Sequence, residues 1–168
     1  MKYYLHELIK RGSTPFEIDE TVDFSNIASL HHEIRKISPV KITGIGQLTG
    51  QDIVFKLNIC CDLILPCALT LDDVNYHMDI NTTEYFTFKE TAKEEDYDYD
   101  INIVKGQVIE LAPIIWQNII VNIPLRVVSE NAYERMHKHG DNWEIVDSKN
   151  QDDSIDPRFS ILKDLLKK

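Results

Sequence analysis

The sequence is poor in cysteine, and its three cysteines lie close together at Cys60, Cys61 and Cys67. An odd number of closely spaced cysteines is a poor framework for disulfide bonds and is typical of a reducing compartment. We therefore expect reduced thiols that pack as small buried apolar side chains in strands, in a cytoplasmic protein.

Long apolar runs are also missing. The longest, around Ile59 to Leu65, is interrupted by Asp62 and is far too short to span a bilayer. The N-terminus lacks the charged and then apolar pattern of a signal peptide. Because 43% of the 168 residues are apolar, the chain can still bury a core. We therefore expect a soluble protein of one domain that does not contact a membrane.

No motif typical of catalysis or of a cofactor site is present. Gly44, Gly46 and Gly50 have the wrong spacing for a phosphate-binding loop, and no lysine-serine pair follows them. Asp72 and Asp73 are adjacent at a strand end, so their side chains would point to opposite faces and make a poor acid and base pair. The sequence therefore predicts neither an enzyme nor a cofactor.

A metal site is equally unsupported. The cysteines could supply thiolates to zinc, but the histidines that might complete such a site lie far away and in unsuitable pairings, at His31, His32, His137 and His139. Nucleophilic catalysis by Cys67 would require a thiol of lowered pKa beside one of these distant histidines. We therefore predict no metal and no catalytic residue.

The net charge of −10 is concentrated in the middle of the chain, where residues 42–125 carry four basic and thirteen acidic side chains. Within that part, residues 90–100 are dense in like charge and lack aliphatic side chains, which is typical of a solvated loop. The alternative is a docking segment for a basic partner, because clustered carboxylates attract cationic surfaces at long range. In either case the excess negative charge disfavours nonspecific binding of double-stranded nucleic acid, because that binding depends on neutralising phosphates.

The apolar pattern predicts an α+β fold in which an antiparallel β-sheet meander is packed by a central buried helix. Apolar residues alternate on both sides of a Gly50-Gln51-Asp52 turn, which is the pattern of a hairpin. The predicted extended segments are 3–9, 16–22, 40–46, 53–59, 61–66, 67–71 and 76–88, with a turn at 12–15. One of the first two could instead be an irregular arm.

Two segments have helical spacing before the C-terminus. Ile27, Leu30, Ile34 and Ile37 recur at three- and four-residue intervals after Ser25. Residues 111–123 predict a helix with Pro113 in its first turn, and its apolar side chains surround so much of the axis that it should pack against the sheet. We assign residues 1–125 to the core and 126–168 to a polar segment and short C-terminal helix of the same domain, with residues 129–154 mobile unless a partner orders them.

The remaining distinctive residues form an ordered series that resembles the YceD family, the large ribosomal RNA subunit accumulation proteins. The series covers roughly residues 40–166. It consists of Pro66-Cys67-Ala68-Leu69-Thr70-Leu71, the acidic residues 94–100, Gly106, Glu110-Leu111-Ala112-Pro113-Ile114, residues 118–124, and Ile155-Asp156-Pro157-Arg158 with Leu162 and Leu165. Asp156 and Pro157 also suit the N-cap and first position of a helix.

The chain departs from the family pattern at its cysteines. Many relatives have Cys-x-Arg-Cys in the central segment, whereas Leu69 and Thr70 here occupy the places of the arginine and the second cysteine. A second cysteine cluster found in many relatives is absent from residues 125–155. A metal role of the relatives' cysteines therefore does not transfer to this chain. The phosphate contact that the relatives' arginine could make is also missing, because Leu69 occupies its place.

The resemblance implies a non-enzymatic factor for accumulation of large-subunit ribosomal RNA and for ribosome assembly, which binds precursor RNA or an assembly intermediate. Within that role, the candidate phosphate contacts are Arg35, Lys36, Lys41, Arg158, Lys163 and Lys167. The alternative is that each is a solvated surface cation. A second class of function is an acidic chaperone or scaffold that holds a basic ribosomal protein through residues 90–100.

Overall fold

The computed structural model describes residues 1–89, 91, 93, 95 and 97–135, together with the backbone of 139–140 and 143–144. The chain divides into two compact units, Met1–Ala132 and Tyr133–Lys168. The boundary that we placed at residue 125 stays a prediction. The predicted Asp156-Pro157-Arg158 helix lies outside the described residues, as do all of residues 145–168.

The described elements are mostly strands, with short helices near both ends of the first unit. In chain order they are β1 Lys2–Tyr4, α1 Leu5–Arg11, β2 Phe16–Val22, α2 Ser25–Ala28, β3 Lys36–Ile37, β4 Val40–Thr49, β5 Asp52–Pro66, β6 Asp73–Thr87, β7 Ile101–Ile103, β8 Val108–Glu110, α3 Leu111–Val121, α4 Ala132–Arg135, β9 His139–Gly140 and β10 Trp143–Glu144.

The central sheet of the first unit has the strand order β2-β4-β5-β6-β7, and β3 also pairs with β5. Its pairs are antiparallel except for β6 with β7. β1 and β8 form a separate antiparallel pair in the same unit. The predicted α+β class and the predicted hairpin, which is β4 with β5, are both confirmed. In the second unit, β9 and β10 pair antiparallel.

One face of the central sheet is buried and the other faces solvent. Along β5, Ile53, Phe55, Leu57 and Ile59 are buried, while the alternate side chains are half-buried or exposed. This period of two places successive side chains on opposite faces. We call the solvent-facing side of β4, β5 and β6 the outer face.

Helix α3 supplies the other side of the core. Leu111, Ile115 and Ile119 are fully buried in the same cluster as the inward residues of β4 and β5. Pro113 lies in the first turn, where its missing N–H has no helical acceptor to lose. The predicted buried helix is thus confirmed, and it ends at Val121.

The first predicted strand is only partly correct. β1 ends at Tyr4 and the chain then turns into α1, so Leu5 to Ile9 are helical rather than extended. The N–H of Leu5 donates to the carbonyl oxygen of Gln107 at 2.8 Å, which anchors the helix start beside β8. Gly12 ends the helix with φ +65°, a conformation that favours glycine.

The helix predicted from Ser25 to Ile37 is wrong except for its first turn, Ser25–Ala28. Leu30 is 81% exposed, and Ile37 is buried as part of β3. The predicted strand over 67–71 is also wrong, because these residues form a turn in which Leu71 has φ +61°. After Ala28, the pairing of Ile37 with Leu63 of β5 decides the conformation instead of the local spacing. At 67–71, hydrogen bonds within the turn between β5 and β6 do so.

Candidate functional site

The family motif around Cys67 forms a tight turn between β5 and β6. The N–H of Cys67 donates to the carbonyl oxygen of Asp72 at 2.8 Å, and the N–H of Leu71 donates to that of Cys67 at 2.9 Å. We call residues 67–72 the Cys67 turn. The N–H of Ala68 donates to the carbonyl oxygen of Val127 at 2.8 Å, which joins this turn to the segment after α3.

The Cys67 thiol is buried and surrounded by donors. The backbone N–H groups of Leu69 and Ser129 each lie 3.5 Å from Sγ, and the Ser129 hydroxyl lies 3.7 Å away. Hydrogen bonds from the Thr70 side chain and the Ser129 backbone lower the pKa of Cys67 to about 6, because they stabilise the thiolate more than burial disfavours it. Cys67 therefore holds the turn and the segment after α3 together.

Arg35, a predicted RNA contact, also lies at the Cys67 turn. Its Nη2 donates to the carbonyl oxygen of Leu71 at 2.6 Å, and its Nη1 forms an ion pair with Asp73. Since both ends of the guanidinium have partners within the chain, Arg35 is placed to support the conformation of the turn.

Two other family-motif positions have structural explanations. Gly106 has φ +108°, which favours glycine, and Leu111 is fully buried at the start of α3. A cavity of about 190 Å³ lies beside the turn between Cys67, Leu71 and residues 123–127. The fold thus places the central motif and the end of the 118–124 motif on the lining of one cavity. Asp156 and Pro157 lie outside the described residues.

Lys36 and Lys41, two more of the predicted RNA contacts, are exposed on β3 and β4. Lys41 lies opposite Cys60 on the outer face, and Lys56 is exposed farther along β5. None of these three lysines has an ion-pair or hydrogen-bond partner among the described residues. The remaining predicted contacts, Arg158, Lys163 and Lys167, lie outside that part of the chain.

An acidic groove of about 630 Å³ runs between α3 and the residues before β7. Its acidic lining consists of Glu84, Asp98 and Asp100, and Tyr97 and Tyr99 lie beside them. The ring of Tyr99 lies 4.2 Å from that of Tyr85, centroid to centroid. Part of the predicted acidic loop is thus placed against the core. Residues 90, 92, 94 and 96 are not described.

The Glu84 carboxylate in this groove is fixed by its neighbours. Oε1 accepts hydrogen bonds from Asn118 Nδ2 of α3 at 2.8 Å and from the Thr82 hydroxyl at 2.9 Å. Asn118 belongs to the family series of residues 118–124. Its hydrogen bond to Glu84 ties α3 to β6, so a structural role accounts for the asparagine at this position.

The sequence interpretation missed a contact of Cys60 on the outer face. Cys61 and Cys67 are buried as predicted, but Cys60 is half-exposed, and its Sγ lies 3.7 Å from Nε2 of His77. His77 Nδ1 lies 2.7 Å from Oδ1 of Asp62. The signal was the hairpin register, because the short turn after β5 places Asp62 directly opposite His77.

Neither a metal cluster nor a membrane-spanning helix is present among the described residues. No group of three histidine, cysteine or carboxylate side chains there is arranged to hold a metal ion. Among the same residues, no helix has the length and apolar content needed to cross a lipid bilayer.

The chain is similar to a known protein family and to a curated relative. The family described as "Large ribosomal RNA subunit accumulation protein YceD" matches residues 55–166. The relative is "Uncharacterized protein YlbN" of Bacillus subtilis (strain 168), which is 32% identical over 169 residues, covering 99% of this chain and 97% of the relative. No solved structure matches.

Proposed function

Since this chain belongs to the YceD family of large ribosomal RNA subunit accumulation proteins, we propose that it is a non-enzymatic assembly factor that binds precursor ribosomal RNA or an intermediate of the large subunit. The family name supports the role in ribosomal RNA accumulation. Contact with the RNA itself, and a cytoplasmic location, are further parts of this proposal.

The observation that carries RNA contact is the set of exposed lysines on neighbouring strands, Lys36, Lys41 and Lys56. Lysine without an internal partner is free to neutralise a phosphate, and such contacts position a protein on RNA. Asn81 and Thr83 lie on the outer face close to Lys56, and the side-chain amide of Asn81 and the hydroxyl of Thr83 can donate to bases or ribose hydroxyls. Arg35 is excluded from this set because its guanidinium is already occupied.

The RNA contact is tested by measuring affinity for a precursor large-subunit RNA fragment over a range of salt concentrations. We expect the K36Q/K41Q/K56Q protein to bind more weakly and with a shallower salt dependence, since each lost phosphate contact reduces the slope by about one unit. K2Q is the matched control, because Lys2 is exposed but paired with Glu110 at 2.7 Å. Equal affinity and equal salt dependence in wild type, K36Q/K41Q/K56Q and K2Q would exclude these lysines as the RNA contact.

The acidic groove favours a second candidate function, in which a basic segment of a ribosomal protein docks beside α3. Glu84, Asp98 and Asp100 supply negative charge, and the rings of Tyr97 and Tyr99 can stack on guanidinium groups. Such a site would shield a basic chain before it joins RNA.

This candidate is tested with an arginine- and lysine-rich peptide in a calorimetric titration. D98N/D100N should lose affinity, and E17Q/D19N, which removes two exposed acids from β2, should not. If both double variants bind equally well, the attraction is general and the groove is not a site. Unchanged RNA affinity in D98N/D100N would separate the two functions.

A further inference from the structure

Cys60, His77 and Asp62 form a connected group on the outer face that neither proposed function uses. Cys60 and Asp62 lie two residues apart on β5, so their side chains share a face, and His77 lies directly opposite Asp62 on β6. The distance from Cys60 Sγ to His77 Nε2 is 3.7 Å, and that from His77 Nδ1 to Asp62 Oδ1 is 2.7 Å. A thiol, an imidazole and a carboxylate therefore follow one another in a line.

The carboxylate determines which nitrogen of the histidine faces the thiol as a base. An ionised carboxylate only accepts hydrogen bonds, so the Nδ1–H of His77 must be the donor to Asp62. In the neutral imidazole the proton is then on Nδ1, and Nε2 carries the free lone pair. That lone pair lies beside the thiol of Cys60. This is the order of nucleophile, base and orienting group found in activated thiols.

We propose that Cys60 is a site of reversible thiol modification, at which small-molecule disulfides form a mixed disulfide with the protein. His77 Nε2 accepts the thiol proton while Sγ attacks one sulfur of the disulfide. The new Sγ–S bond forms as the old S–S bond breaks, and the departing thiolate takes the proton from His77. Cys60 is oxidised, the small disulfide is reduced to one thiol, and no other reactant is needed.

The surroundings select Cys60 among the three cysteines. Cys60 is half-exposed, whereas Cys61 and Cys67 are 3% and 0% exposed. Burial also raises the pKa of Cys61 to about 11, which keeps that thiol protonated. Because Cys60 is half-exposed on a strand, a small disulfide can reach its thiol from solvent. A protein disulfide would need a complementary surface.

Charged groups from each neighbouring strand surround the site. Lys41 of β4 lies opposite Cys60 on one side and Asp79 of β6 on the other, and Asp62 lies beside His77. The Asp79 carboxylate accepts a hydrogen bond from Asn58 Nδ2 at 2.5 Å. Because charges of both signs are present, a neutral disulfide is the appropriate probe.

The test is the rate at which hydroxyethyl disulfide adds to each cysteine of the full-length protein, measured on peptides by mass spectrometry. At pH 7 we expect addition at Cys60 well ahead of Cys61 and Cys67. We expect H77Q to slow the reaction of Cys60 about tenfold, since an unassisted thiol is only a few per cent thiolate at this pH. D62N should slow it less, because His77 remains but can adopt either tautomer.

A pH series separates base assistance from a change in access. The rates of wild type and H77Q should converge near about pH 10, where a free thiol ionises without help. H32Q is the control, because His32 is exposed and distant in sequence from the group. Protection of Cys61 and Cys67 verifies folding in every variant. Equal rates for wild type and H77Q at pH 7, or addition spread evenly over the three cysteines, would overturn the proposal.

Discussion

Gly46 shows how a single side chain on a neighbouring strand restricts a position in the sheet. Gly46 pairs with Phe16 on β2 and with Phe55 on β5, and the two rings meet edge to face with centroids 6.2 Å apart. A Cβ at position 46 would lie 2.3 Å from Cζ of Phe16. The ring of Phe16 thus occupies the space that a larger side chain at position 46 would need.

We expect G46A to lower the free energy of unfolding by about 1–3 kcal/mol, the usual cost of overpacking, as measured by urea denaturation. The shorter side chain in F16L/G46A should make the double variant more stable than the sum of the single changes predicts. Strict additivity of F16L and G46A would show that the ring is not what restricts position 46.

Cys67 predicts a pH dependence of stability. Its pKa in the folded chain is about 6, below the ordinary value of 9.0, so the folded state binds the thiol proton less tightly than the unfolded state. The resulting stabilisation is complete above about pH 9 and is lost as the pH falls through 6.

We therefore expect the stability difference between wild type and C67S to grow from pH 6 to pH 9, by at most about 1.4 kcal/mol per pH unit. Serine keeps a side-chain acceptor but does not ionise, so it removes the pH dependence that Cys67 contributes. The measurement is urea unfolding at several pH values under reducing conditions. A constant difference across that range would mean that the hydrogen bonds do not favour the thiolate.

At the scale of elements, the two faces of α3 contribute very differently to the stability of the fold. Ile119 is fully buried against the sheet, whereas Val121, two residues later, is 75% exposed. We expect I119A to cost about 2–5 kcal/mol, since it removes buried methyl groups and leaves a cavity. V121A should change stability by less than about 0.5 kcal/mol. Thermal unfolding followed by circular dichroism compares them, and similar losses would contradict the packing of α3 on the sheet.

The sequence predicted correctly those elements whose local apolar pattern agrees with their contacts in the fold. The alternation on both sides of Gly50 specifies β4 and β5, and the apolar run before Pro124 specifies α3. It failed after Ser25, because the helical spacing of Ile34 and Ile37 is also satisfied when Ile37 pairs with Leu63 in the sheet. A pairing partner 26 residues away is not visible in local periodicity.

The candidate sites were also predictable to different degrees, because some depend on local pattern and others on pairing between distant strands. The exposed position of Lys41 follows from the predicted strand alternation. Lys36 falls in the segment that the sequence predicted to be helical, so its exposed place on β3 does not. The ion pair of Arg35 with Asp73 joins residues 38 positions apart, and Cys60 and His77 are 17 apart. Such contacts require the pairing of β3 with β5 and the register of β5 with β6, which the apolar pattern and the length of the turn between β5 and β6 set together.

At the scale of the whole molecule, the excess negative charge is distributed unevenly over the first unit. The acidic middle of the chain contributes Glu84, Asp98 and Asp100 to one groove, while Lys36, Lys41 and Lys56 extend from other strands. One chain of net charge −10 can therefore offer a cationic contact to RNA and a separate anionic contact to a basic protein. The two proposed functions are compatible for this reason.

The division into two units predicts that Met1–Ala132 folds alone. This fragment contains the buried core from Leu8 to Ile119 and also Ser129, which contacts Cys67. We expect it to unfold cooperatively in urea and to keep Cys67 protected from thiol reagents. A broad transition, or rapid labelling of Cys67, would show that Tyr133–Lys168 is required for the fold of the first unit.

The same fragment assigns the RNA contacts between the two parts of the chain. It keeps Lys36 and Lys41 but lacks the predicted contacts Arg158, Lys163 and Lys167. If the folded fragment binds precursor RNA with the salt slope of the full chain, the lysines of the first unit are sufficient. If binding is lost while the fold is retained, the contacts lie in residues 133–168, and R158Q in the full chain should then weaken binding by itself, because arginine can contact phosphate through two donors at once.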